Sequence, residues 1–367
     1  MRITVIGIIG TLGAVMLAYA QGVPSSAEPQ FIPDEFYTAR IISIGVVSQK
    51  DAPLQTAIVE ILNGKEVGKK IEIQYGGAFA AHGEKEVQEG DMVVVSKEEV
   101  MGQVMWYLED TYRLPALAAI AALFAVLVVI FGRIRGVTAV IGLGFSVGVL
   151  GGYIIPRIIA GDNPLWVSLV GAAVIAIVSL YMAHGLNKRT TIALCGTLIT
   201  LGISLGMSIV AVAMTKLSGL GTEGVFYLQS GGGYNIDLKG LLLGGIIIGV
   251  LGVLDDITTG QAAIVDELIQ ANPALSFREV YRRGLSVGRE HIASLVNTLV
   301  LAYAGVSLPL LLIFAMNNTQ PIWAFVNGEF MAVEIVRTLV GSISLVIAVP
   351  ITTFLAAYYL RKKINSE

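Results

Sequence analysis

From Pro115 onward the chain is a succession of apolar stretches separated by short polar clusters, each near the ~20 residues that a helix needs to cross the hydrocarbon of a bilayer. A water-soluble fold cannot absorb that pattern. With 55% hydrophobic and 14% charged residues among 367, too little polar surface exists to close around one core. Lipid is therefore the solvent over most of the length. The spacing predicts seven spans at 115–132, 137–155, 164–183, 190–214, 240–262, 291–316 and 334–360, the last long enough to tilt or to kink at Pro350.

Charge then speaks about direction. Basic residues are retained on the cytoplasmic side. With seven spans, one side holds Arg133, Arg135, Lys188, Arg189, Arg278, Arg282, Arg283, Arg289, Arg361, Lys362 and Lys363, against Arg157, Lys216 and Lys239 on the other. The asymmetry places the C-terminus inside and whatever precedes the first span outside. Net charge is only -3 and no basic face is large, so nucleic acid is not an expected partner.

Before the spans, residues 1–22 read as a signal peptide or signal anchor, with Arg2, an apolar run from Ile3 to Ala18 and the small-x-small sequence Ala18-Tyr19-Ala20. Residues 31–110 follow as a separate extracytoplasmic domain. Its runs YTARIISI, QTAIVEIL, KKIEIQY and DMVVVS alternate and are rich in β-branched residues, with turn signals at Asn63-Gly64 and Glu89-Gly90-Asp91. They predict a small, OB-like β-barrel of about five strands. The fold class is thus a polytopic α-helical membrane bundle, 115–363, preceded by a β-domain.

Glycines recur every fourth residue within spans, at 144, 148 and 152, at 202 and 206, and at 245 and 249. That spacing predicts close helix packing along one face. The single cysteine, Cys195, reads as a small buried residue, and no disulfide framework is available.

The chemistry is concentrated between Gly244 and Pro273. Counted from Leu241 at about 1.5 Å per residue, Asp255 lies about 21 Å into a core of about 30 Å, where a charge is costly unless paired, protonated or facing water. Eleven residues make about three helical turns, so Asp255, Thr259 and Asp266 share one stripe, while Asp256, Gly260, Ala263 and Glu267 form the next. Oxygen ligands at several depths suit a cation or proton path. The bland alternative ends the span at Leu254 and leaves the acidic residues in water.

Asn297 and Thr298, counted from the other end of the sixth span, fall at a matching depth, as do Thr197, Thr352 and Thr353. Helix hydroxyls often bond only their own backbone, which is the competing reading for the threonines. Arg337 beside Glu334 snorkels to the outer headgroups, pairs with a carboxylate or binds an anionic substrate. Asn272-Pro273 ends a helix, and Ser276-x-x-Glu279 is a capping box that begins the next. There, Phe277, Val280, Tyr281 and Leu285 oppose Arg278, Arg282 and Arg283, which predicts an amphipathic helix on the inner surface. Arg289 and His291 follow it, with anionic lipid as partner and gating or lipid contact as its role. Sequences of the GxxxxGK[ST], HExxH and GxSxG types do not occur.

The blocks GVLGVLDDITTGQAAIVDEL at 249–268 and NPALSFREVYRRGLSVGREHIASLVNTLVLAYAGVSLPLLLIF at 272–314, with a β-domain before the spans, resemble the YibE/F family of bacterial multi-spanning membrane proteins. The resemblance implies a multi-pass protein of the bacterial cytoplasmic membrane in which Asp255, Gln261, Glu267, His291 and Asn297 fall within the characteristic blocks. It implies no substrate.

Three functions remain in play. The first is a transporter, an exporter or ion-coupled carrier, whose site comprises Asp255, Asp256, Thr259, Gln261, Asp266, Glu267, Asn297 and Thr298 and holds a cation or proton but no cofactor. The second is a scaffold or assembly factor that recruits an envelope partner through the β-domain, with self-association as a further contact. The third is an intramembrane enzyme holding a metal on Asp255 and Asp256.

Overall fold

A computed structural model of the chain describes residues 35–47, 54–76, 87–100, 103–221, 224–225, 228, 236–316 and 321–364. The expected leader, 1–22, lies outside them. The chain divides into two compact units, one of residues 29–127 and one whose described part begins at residue 128.

The first unit is built on five antiparallel strands, β1 (Glu35–Val47), β2 (Leu54–Ile61), β3 (Lys70–Gly76), β4 (Met92–Val100) and β5 (Gln103–Thr111), in the order β3-β2-β1-β4-β5. Alternation selects its core, because successive strand side chains point to opposite faces. Tyr37, Ala39 and Ile41, then Ala57, Val59 and Ile61, Ile71 and Ile73, and Val93 and Val95 are all buried. Register shifts at Ile41/Ser43 and Val94/Val95 bend the sheet. It curls into a half-barrel, and its two edges, β3 and β5, approach each other. Both sequence turns are present. Asn63 Oδ1 accepts from Thr38 N at 2.8 Å, and Gly64 and Gly90 take the positive φ of 73° and 94° that glycine adopts without penalty.

The described part of the second unit is built of helices and the turns between them. Its elements are α1 (Leu114–Val149, whose first turns belong to the other unit), a π turn at Leu150–Ile154, α2 (Ile155–Ile159), α3 (Pro164–His184), α4 (Lys188–Met214), α5 (Leu238–Ala271), α6 (Phe277–Val306), α7 (Leu308–Met316), α8 (Ile322–Asn327) and α9 (Glu329–Ile364). Helix starts follow local chemistry. Asn163, Asn187 and Asp237 each accept backbone N–H bonds at the N-termini of α3, α4 and α5. The predicted capping box forms in full at α6, where Ser276 and Glu279 exchange side-chain to backbone bonds.

Five segments are long and apolar enough to cross a membrane: Leu114–Ile159, Pro164–His184, Lys188–Met214, Leu238–Ala271 and Glu329–Arg361. The pair α6–α7, bent by 60°, makes a sixth if counted as one span. The seven expected spans differ from this at two places. The first two, 115–132 and 137–155, occupy one apolar segment that is broken at Arg133, where φ is 51° and ψ is -133°. The break is sharp: Gly136 lies against the backbone of Val128, whereas eight residues of straight helix would separate them by about 12 Å. The sixth span is not a separate helix after an interfacial one, because α6 runs unbroken from Phe277 through the expected boundary to Val306.

The core centres on α5, against which α3, α4, α6 and α9 all pack. Leu243, Ile246, Ile247, Val250, Leu254, Ile257 and Val265 recur at helical spacing and are buried among these neighbours. Most of α1, by contrast, is exposed, as expected of a helix with lipid on several sides.

Two sequence expectations fail in the packing. Glycines 144, 148, 152, 202, 206 and 245 have open space where a side chain would project. The close approaches occur elsewhere, at Gly171 on Ile154, Gly196 on Thr352, Gly284 on Thr353 and Gly288 on Val349. Four-residue spacing aligns residues on a helix face without saying which face meets a neighbour. Cys195 is likewise exposed, on the side of α4 away from the core.

Candidate functional site

A layer of buried polar groups runs between α4, α5, α6 and α9. The hydroxyls of Thr197 and Thr258 meet at 2.7 Å, and Ser204 donates to Ser344 at 2.7 Å, each tying α4 to a neighbour. Gln261 Nε2 donates to the Gly284 carbonyl and to Thr353 Oγ1, both at 2.8 Å. Thr352 packs on Gly196. Several members also bond their own helix, as Thr197 does to Ala193 and Thr353 to Val349, so that reading holds for part of each hydroxyl's capacity. Other atoms in the layer are buried without a partner: Thr190 Oγ1, Thr200 Oγ1, Thr352 Oγ1 and Gln261 Oε1.

The two adjacent carboxylates point in different directions, since consecutive helical residues are turned by about 100°. Asp255 is half-buried. Its Oδ2 accepts from Ser179 of α3 at 3.5 Å, and its Oδ1 is buried without a partner. Asp256 is exposed to a cavity of about 280 Å³ lined by Arg135, His184, Arg189, Thr190, Ala193, Asp256, Thr259, Gly260 and Ala263. Of the stripe Asp256, Gly260, Ala263 and Glu267 read from the sequence, the first three therefore line the cavity and Glu267 does not. Thr259 joins them from the neighbouring stripe, with its hydroxyl proton given to the Asp255 carbonyl at 2.9 Å.

The other sequence candidates are spread more widely. Asp266 pairs with Arg189 at 3.6 Å, and Glu267 is exposed. Gln261 is fully buried in the polar layer, while His291 lies beside Gly260, its Cε1 3.6 Å from where a side chain would begin. Asn297 and Thr298 are exposed, and the Thr298 hydroxyl is bonded to the Ser294 carbonyl, so depth along the helix coincides with Asp255 but the facing direction does not. Arg278, Arg282, Arg283 and Arg289 are exposed on α6. The apolar face opposite the first three packs on protein, with Val280 buried beside Val265, Ile269 and Ala356, and Phe277 against Phe354. Arg337 pairs with Glu334 one turn away at 2.8 Å.

Among the described residues, no three His, Cys, Asp or Glu side chains gather as a metal-holding set. Asp255 and Asp256 thus find no third ligand of that kind. Sequence reasoning did not place Ser179, His184, Arg135, Arg189 or Thr190 in a site. Ser179 carried a weak signal, a hydroxyl inside an apolar span. The others lie at helix ends or, for Arg135, beside the break in α1, and only the fold brings these places together.

A set of long apolar helices around a polar layer, with a charged cavity opening beside paired carboxylates, defines a helical protein suited to a bilayer. The pattern of the YibE/F-like protein family matches residues 120–362, and the chain belongs to that family. No curated protein and no solved structure is similar enough to the chain to count as a match.

Proposed function

We propose that the chain is an ion-coupled carrier or exporter of the bacterial cytoplasmic membrane, with Asp255 and Asp256 handling a proton or cation during transport. One observation carries the reading: a carboxylate oxygen of Asp255 is buried without a partner in the middle of a 34-residue apolar helix, next to a cavity that Asp256 lines. A group so placed is expensive in a purely structural role, because burial without compensation disfavours its charge. Repeated protonation or cation exchange gives that cost a purpose. Seven spans, with the break at Arg133 separating the first two, and an OB-like β-domain outside agree with the distribution of basic residues.

The test is reconstitution into liposomes with a pH-sensitive dye inside and a panel of ions and small metabolites outside. Asp255→Asn, which keeps size and can still accept from Ser179, is expected to assemble normally and to lose coupled flux. Wild-type flux in a correctly assembled Asp255→Asn protein overturns the role of that residue.

A second reading, a scaffold that recruits an envelope partner, is favoured by apolar side chains exposed on the β-domain, among them Phe36, Ile58, Val104 and Met105. Deleting residues 31–110 separates the two. Unchanged flux with loss of a captured envelope partner supports a recruiting role for that domain. Loss of all measurable transport in every version of the chain favours the scaffold outright.

A further inference from the structure

The cavity beside Asp256 has a chemistry that the carboxylates alone do not explain. Two guanidinium groups, Arg135 and Arg189, and the imidazole of His184 stand around it against one carboxylate, Asp256. A metal cation prefers several oxygen ligands and no cationic neighbours, so this wall does not suit one, and of the two species in the carrier reading it is the proton that fits Asp256. Arg189 shares its charge with Asp266 at 3.6 Å, an ion pair long enough to leave donors of the guanidinium available. Arg135 is exposed at the cavity.

Two further features point the same way. The 27-residue helix α4 begins at this cavity, and its N-terminal turn carries the partial positive charge of the helix dipole. Thr190 in that turn is 2% exposed, lines the cavity and has a hydroxyl without a partner, although its own backbone N–H is already used by Asn187. A buried hydroxyl left unsatisfied at the edge of a polar cavity is a donor awaiting an acceptor. At about 30 Å³ per water, a volume of about 280 Å³ also has room for a tetrahedral oxyanion together with part of its hydration.

We infer that this cavity binds an oxyanion of the phosphate type, held by Arg135, Arg189, the Thr190 hydroxyl and the N-terminus of α4. The inference rests on the carrier reading only in taking the occupant as cargo or as a regulator of transport; binding itself does not depend on flux. Asp256, which lines the same cavity, sets the specificity. Its carboxylate repels a fully ionised anion, so a singly charged occupant is preferred, and one that keeps an O–H also donates a hydrogen bond to it. The same chemistry is offered by free inorganic phosphate and by the phosphodiester of an anionic lipid headgroup.

The test uses the purified full chain in nanodiscs of neutral phosphatidylcholine, titrated with inorganic phosphate by calorimetry. A parallel arm replaces a fraction of the lipid with phosphatidylglycerol and reads thermal stability. Saturable phosphate binding, weakened about tenfold or more by Arg135→Gln, identifies the free anion as occupant. Thr190→Val is expected to weaken it several-fold and Thr190→Ser to restore it. Stabilisation by phosphatidylglycerol that Arg135→Gln removes, without phosphate binding, identifies the headgroup instead. Arg135 is exposed, so its replacement leaves the fold intact, and a wild-type melting temperature in neutral lipid verifies this. The site is overturned if neither occupant binds, or if binding is indifferent to Arg135→Gln and Thr190→Val. Anion binding without flux sinks the carrier reading and keeps this site; flux without anion binding does the reverse.

Discussion

Gln261 donates to Thr353 Oγ1 across 2.8 Å, joining the middle of the central helix to the last one. Its second N–H goes to the Gly284 carbonyl, so one side chain holds α5, α6 and α9 together where all of them are shielded from water. Interhelical hydrogen bonds in a bilayer contribute roughly 0.6 kcal/mol on average and about 1.7 at most, because the dissociated helices find other partners.

Replacing Gln261 by Leu is therefore expected to lower stability by about 1–2 kcal/mol, with both side-chain bonds lost. Thermal melting of the purified protein in detergent reads this directly. An unchanged melting temperature contradicts the role given to the side chain.

Glycines sort into two groups that the sequence does not separate. At Gly288, an added Cβ would stand 2.5 Å from Val349 Cγ1 and 3.1 Å from Gln261 Oε1, and a valine in a helix has little rotamer freedom with which to yield. Gly288→Ala is expected to cost about 1–3 kcal/mol through overpacking. Gly148→Ala and Gly202→Ala meet open space and are expected to be neutral, or stabilising by up to about 1 kcal/mol through helix propensity. Paired melting curves of the three variants test the contrast.

Arg133 carries a positive φ of 51° at the break in α1, a conformation that costs a residue with a Cβ about 1–3 kcal/mol. It is also exposed, so little packing is lost on its removal. Arg133→Gly is expected to raise stability by about 1 kcal/mol, and Arg133→Val to lower it. Equal melting temperatures for the two variants argue against a sharp break at this residue.

In the β-domain, Lys69 and Lys97 each donate to Glu66, at 3.1 and 3.2 Å, and hold its carboxyl below the usual glutamate range. The sign of the linkage follows. With the folded pKa depressed, the contribution of Glu66 is present above the unfolded value of about 4.3 and is lost as pH falls through the lower folded value. Melting of the β-domain between neutral and acid pH is expected to fall less steeply in Glu66→Gln than in the native chain. The two proteins should converge once Glu66 is protonated. Parallel curves throughout would show that the lysines do not act on this group.

Much of this molecule is legible locally. The alternation 37, 39, 41 and 57, 59, 61 selects the buried face of the sheet without reference to anything distant, and the capping box at Ser276 and Glu279 needs only four residues. The stripe of Asp256, Gly260, Ala263 and Glu267 follows from helical period alone, and its first three members line a cavity. Asn297 shows where such reasoning stops. Its depth along α6 is a count of residues, but the direction it faces depends on how α6 is rotated against α5, which the sequence does not state. Cys195 and the exposed glycines fail for the same reason.

The amino-acid order by itself determines that this chain seeks a bilayer, that a β-rich unit precedes its helices, and that carboxylates sit within an apolar helix. These properties reside in hydropathy, period and spacing, which act over one or two turns. The neighbours of those carboxylates are decided only by packing. Ser179 reaches Asp255 across 76 positions of chain, and Arg135, His184 and Arg189 stand around the cavity of Asp256 because the break in α1, the end of α3 and the start of α4 converge there. Helix rotation and the break at Arg133 set that convergence through the summed fit of many side chains, and no single segment encodes it.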